Sequence, residues 1–101
     1  VAITPSAGTN SQISTGGVAV VAAPAGTQGG YITNPASPSD QNLSGTEPLF
    51  VSPVSAPSLS ANGTAIALNP GESFTIPPNS TLPVYVNAAS NGHKFTVVVY
   101  N

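Results

Sequence analysis

The stretch LPVYVNAASNGHKFTVVVY, residues 82–100, decides the fold class of this chain. Asn91-Gly92 separates two runs rich in β-branched and aromatic residues, the pattern of a β-hairpin. In the second run Phe95, Val97 and Val99 share one face of a strand, and Lys94, Thr96, Val98 and Tyr100 share the other, because successive strand side chains alternate. Both faces turn apolar toward Tyr100. That predicts a strand in the interior of a sheet or at a subunit contact.

The same signals recur upstream. Asn69-Pro70-Gly71-Glu72 fits a type II turn joining a strand at 65–68 to one at 73–76. Asn62-Gly63 predicts a type I′ hairpin between 59–61 and 64–68. Further strands are expected at 48–51 (PLFV), 31–33 (YIT) and 17–23 (GVAVVAA). Pro53 and Pro57 confine their region to edges or bends. A polar loop spans 34–42, where Ser39 is placed to cap one helical turn around 40–43. No ten-residue stretch carries apolar residues at helical spacing. About seven short antiparallel strands therefore predict an all-β protein, a single β-sandwich or jelly-roll-like domain over 18–101. Residues 1–17 (VAITPSAGTNSQISTGG) are polar and small, lack periodicity and carry Ile3 and Ile13 as isolated apolar residues. We read them as an extended N-terminal arm that orders against a neighbouring subunit.

Charge narrows the function. Asp40, Glu47, Glu72 and Lys94 make up 4% of the 101 residues, against roughly a quarter in ordinary soluble domains. One lysine and no arginine cannot supply the phosphate contacts that drive nucleic-acid binding. Without Cys there is neither a disulfide framework nor a thiolate zinc site. The longest apolar run, 18–23, is far shorter than the roughly 20 residues that span a bilayer. A surface of Ser, Thr, Asn, Gln, Gly, Pro and Ala suits lasting contact with protein, and strand edges without lysine are prone to pairing.

Catalytic and metal chemistry find few carriers. His93 is the single histidine and follows the Asn91-Gly92 turn, where a turn or interface role is expected. A Ser-His-acid set would need it together with one of three acids, and no Gly-x-Ser-x-Gly motif supports that. Glu47 and Glu72 are the only glutamates available for a glycosidase pair, and both sit where turns want polar residues. Asp40 stands outside any calcium-loop spacing. No catalytic, cofactor or metal residue is assigned, and the chain is expected not to be an enzyme. Tyr31, Tyr85 and Tyr100 offer rings for sugar stacking, yet tyrosine serves half-buried packing equally well.

The pieces GGYITNPASPSDQN, EPLFVSPV, ALNPGESFTIPPNS and VNAASNGHKFTVVVY together resemble small accessory virion proteins of bacteriophages, over about residues 29–100. The resemblance is one of pattern and carries no residue-level motif. It implies a β-rich, non-enzymatic protein that decorates or cements a capsid or sits at its vertex. The implied location is the virion surface, the implied partner the major capsid protein or another virion protein. It also implies a homo-oligomer, with a trimer favoured. Interface anchors are expected among Ile3, Ile13, Phe50, Phe74, Tyr85 and Tyr100, with core packing claiming some of them. The alternative is a carbohydrate-binding or adhesin-type sandwich of a phage fibre or bacterial cell surface.

Overall fold

The structure, a computed structural model, describes residues 9–36, 46–60 and 63–100. These form eight short strands: β1 (Thr9–Gln12), β2 (Val20–Ala23), β3 (Gly30–Thr33), β4 (Leu49–Ser52), β5 (Ile66–Leu68), β6 (Ser73–Ile76), β7 (Val84–Asn87) and β8 (Lys94–Val99). They build two four-stranded sheets, ordered β1-β8-β3-β6 and β2-β7-β4-β5. Every pairing is antiparallel.

The order has a simple origin. The pairs β1·β8, β2·β7, β3·β6 and β4·β5 are successive rungs of one long ribbon that doubles back between β4 and β5. Rolling this ribbon sets β8 beside β3 and β7 beside β4, which closes the two sheets. That is the jelly-roll arrangement of eight strands in a double sheet. The all-β sandwich or jelly-roll expectation is met, with eight strands in place of about seven.

Alternation drives the packing. Ile32, Ile76, Phe95 and Val97 of the first sheet face Leu49, Val51, Val84 and Val86 of the second, and all are buried. Phe74, half-buried on β6, packs against this core, one of the candidate anchors that core packing claims. A bulge at Ala22 interrupts the β2–β7 register, bending the edge strand.

Two expected turns form but connect something other than hairpins. At 69–72 the Glu72 N–H donates to the Asn69 carbonyl at 3.0 Å, with Gly71 at φ 89°. Glycine reaches that left-handed backbone without steric cost. The strands on either side, β5 and β6, belong to opposite sheets. Likewise the His93 N–H donates to the Ser90 carbonyl at 3.3 Å, and this turn leads from β7 in one sheet to β8 in the other. A hairpin would set both runs side by side with one apolar face of each in water. Crossing the sandwich instead stacks Val84 and Val86 against Phe95 and Val97.

The Asn62-Gly63 expectation falls partly on residues 61–62, outside the described residues. Residues 59–60 are not a strand, and β5 pairs with β4 across the longer connection 53–65. The helical turn expected around 40–43 also lies outside the described residues.

The N-terminal segment divides. Residues 1–8, including Ile3, lie outside the described residues. From Thr9 the chain is an edge strand, paired with β8 from Thr9↔Val97 to Gln12↔Lys94. Ile13 is fully buried in the core, and its N–H donates to the His93 carbonyl at 2.8 Å. Ile13 is thus no interface anchor, and residues 9–17 belong to the sandwich. Their polar sequence hid this, because a single inward residue after a short edge strand leaves no period to read.

Candidate functional site

Two features stand out once the core is accounted for: a buried polar cluster at one end of the sandwich, and the unequal outer faces of the two sheets.

The cluster gathers residues far apart in the chain. Asn34 follows β3, Glu47 precedes β4, Ser90 sits in the turn after β7 and His93 precedes β8. His93 is completely buried, having the same inward parity as Phe95. Its Nδ1 lies 3.0 Å from Glu47 Oε1 and its Nε2 lies 2.8 Å from Asn34 Oδ1. The Asn34 amide donates to the Leu68 carbonyl at 2.9 Å and to the Glu47 carbonyl at 3.0 Å. Asn34 also ties down the 69–72 turn: its N–H donates to Glu72 O, and Gly71 N–H donates to Asn34 O. Ser90 completes the set, with its N–H on Glu47 Oε1 at 2.9 Å and its hydroxyl on Oε2 at 2.5 Å.

Partial burial pushes the Glu47 carboxyl upward. The Ser90 hydroxyl and N–H, joined by the His93 ring, outweigh that and hold it below the ordinary value of 4.5. Glu47 is therefore a carboxylate that anchors the 90–93 turn, while its main-chain carbonyl holds Asn34. His93, expected in a turn or at an interface, is instead buried among the strand ends, which its polar neighbours in sequence gave no sign of.

The geometry decides how the weighed chemistries are arranged. A Ser-His-acid relay needs a serine hydroxyl on the imidazole. Here Glu47 and Asn34 take both ring nitrogens, and Ser90 bonds the acid rather than the base. The two glutamates have separate partners: the Glu72 carboxylate accepts from the Asn69 N–H at 2.7 Å. Among the described residues, no three His, Asp or Glu side chains converge as metal ligands.

The outer faces differ sharply. On the first sheet Tyr31 is flanked by Thr75 and by Val98, which is buried, and Thr33 by Thr96 and Ser73. The Thr33 and Ser73 hydroxyls are 2.7 Å apart. On the second sheet the outward residues are Val21 beside Tyr85, and Phe50 beside Ala67. Val21 is 54% exposed, while Tyr85 and Phe50 are half-buried.

Two loops fold over part of this second face. The Asn87 amide donates to Pro57 O at 2.8 Å and Gly17 O at 3.2 Å. Ser52 Oγ accepts the N–H groups of Val54 and Ser55. These loops add exposed apolar side chains of their own: Val18 (55%), Val54 (47%) and Leu59 (44%). Asn87 Oδ1 has no partner beneath them. Of the expected anchors, Phe50 and Tyr85 lie on this face, and Tyr100 is half-buried at the end of β8, bonded through its main chain to Gln28 and Gly29. Val18, Val21, Val54 and Leu59 were missed as surface residues. Short apolar runs look like core when read without pairing.

No protein-family description, curated protein or solved structure matches this chain.

Proposed function

We propose that this domain is a structural virion protein that binds and stabilises a phage capsid, docking on shell protein through the outer face of its second sheet. The observation that carries the reading is the contrast between the two faces. One exposes threonine, serine and tyrosine around a buried Val98, whereas the other presents Val18, Val21, Val54 and Leu59 to water beside Phe50 and Tyr85. Exposed apolar surface that is rimmed by polar residues marks contact with protein. Four charges in the whole chain give little to a partner recognised by ion pairing. The resemblance to accessory virion proteins supplies the capsid and favours a trimer. The jelly roll itself serves viral capsid and lectin domains alike, so the fold does not choose between them.

The test is co-sedimentation with empty capsids of the phage whose genome encodes the chain, together with the mass of the free protein in solution. Binding that is lost in Val21→Asp and Leu59→Asp, with thermal unfolding unchanged, is the expected result. A protein that stays monomeric and fails to bind the shell overturns it.

A carbohydrate-binding reading has one observation in its favour. Tyr31 is 39% exposed on the hydroxyl-rich face of the first sheet, where a ring and neighbouring hydroxyls meet a sugar's needs. Glycan binding abolished by Tyr31→Ala would select it.

A further inference from the structure

We propose that His93 is held in the fold as an imidazolium, with a proton on each ring nitrogen, and that this proton closes a clasp between the two sheets. A neutral imidazole offers one N–H and one lone pair, and only the charged ring donates from both nitrogens. Both nitrogens here face acceptors, Glu47 Oε1 at 3.0 Å and Asn34 Oδ1 at 2.8 Å.

Asn34 cannot turn to offer its amide instead. That group already donates to the Leu68 and Glu47 carbonyls, which can only accept, so the oxygen is fixed toward His93. Rotating the side chain would break both bonds and oppose oxygen to oxygen twice. Nor can Glu47 supply the missing hydrogen while it is ionised, and its bonds from Ser90 favour the carboxylate. The ring is completely buried, so water does not replace a lost bond.

The charged groups around the ring are few. Glu47 faces it from the segment just before β4. Glu72 contributes only its carbonyl, to Asn34, while its carboxylate bonds Asn69. Lys94 is the next residue in β8 and has the opposite parity. Ser90, Asn34 and the Ile13 main chain are neutral. Asp40 lies outside the described residues.

The clasp joins the first sheet (Asn34, His93) to the second (Glu47, Leu68) and touches the N-terminal edge through Ile13. Removing the proton sets a lone pair against an acceptor on one side of the ring. The segment at Glu47, the 69–72 turn and the junction at Ile13 then loosen together.

Long-range ¹H–¹⁵N spectra of the folded protein at about pH 7.5, where free histidine is mostly neutral, test the protonation state directly. Two protonated ring nitrogens are expected, and one bare nitrogen in the folded state overturns the proposal. Amide exchange then tests the clasp. Above about pH 6.5, where an unconstrained imidazole gives up its proton, protection at Ile13, Asn34 and Gly71 should fall together, by about tenfold per pH unit for as long as the folded ring keeps one proton that the opened chain has lost. His93→Gln should remove that dependence. Protection that stays level across that range overturns the clasp, and this arm needs only the wild-type protein should the variant not fold.

Discussion

The Glu47 carboxylate and the His93 imidazole meet at 3.0 Å across 46 residues of chain. Glu47 lies two residues before β4 of one sheet, and His93 immediately before β8 of the other. This contact and its Asn34 and Ser90 neighbours pin the strand ends at one end of the jelly roll.

Acid should weaken the fold through Glu47. Its carboxyl is held below 4.5 in the folded protein, so the unfolded chain takes up a proton first as pH falls. The stabilisation is complete above about 4.5 and disappears as pH drops through the lowered value. Urea unfolding between about pH 6 and 2.5 should show this loss, and Glu47→Gln should lack that part of the slope. An equal slope in both proteins would assign acid sensitivity elsewhere.

Asn34→Asp is nearly isosteric, yet it should cost more than about 2 kcal/mol. It replaces an amide that donates to the Leu68 and Glu47 carbonyls by oxygens that can only repel them. Equilibrium denaturation measures the loss, and a cost under about 0.5 kcal/mol would mean that this amide holds nothing.

Gly30 sits in β3 at φ 147°, and a Cβ there would lie 2.0 Å from the Val98 carbonyl oxygen of β8. Gly30→Ala must push two central strands apart, so about 3 kcal/mol or more should be lost. Gly26 has φ 84° and open space around it, and Gly26→Ala should cost only about 1–2 kcal/mol. Similar midpoints for the two variants would contradict the close approach of β3 and β8.

Ile13→Ala should destabilise by about 2–5 kcal/mol, as a buried aliphatic truncation does. Ile66 is 43% exposed on the edge strand β5, and Ile66→Ala should cost less than about 1.5 kcal/mol. Thermal unfolding of the pair separates a core residue from a surface one. An unperturbed Ile13→Ala would return the N-terminal segment to the status of a free arm.

The candidate cluster was only partly legible. Glu47 and His93 attracted notice because ionisable residues are so rare here, but nothing local pairs them. Asn34 reads as one more polar loop residue beside Pro35, and Ser90 as one serine among many. Their meeting depends on how the ribbon rolls, which is a property of strand pairing rather than of any short segment. The outer face of the second sheet was hidden for a related reason. A valine in a short apolar run reads the same whether it points inward or outward, and for Val21 the cross-strand partner Tyr85 settles the direction.

The amino-acid sequence by itself determined that this is an all-β chain with turns at 69–72 and 91–92, a central strand at 94–99 and almost no charge. These follow from alternation, backbone preferences of Gly, Pro and Asn, and composition, all of which act over a few residues. Only the tertiary structure decided that both turns cross between sheets, that residues 9–13 close the first sheet, and that His93 is buried between Glu47 and Asn34. Those choices depend on which apolar faces can cover one another across the sandwich. Burial is a sum over distant parts of the chain, and no local pattern encodes it.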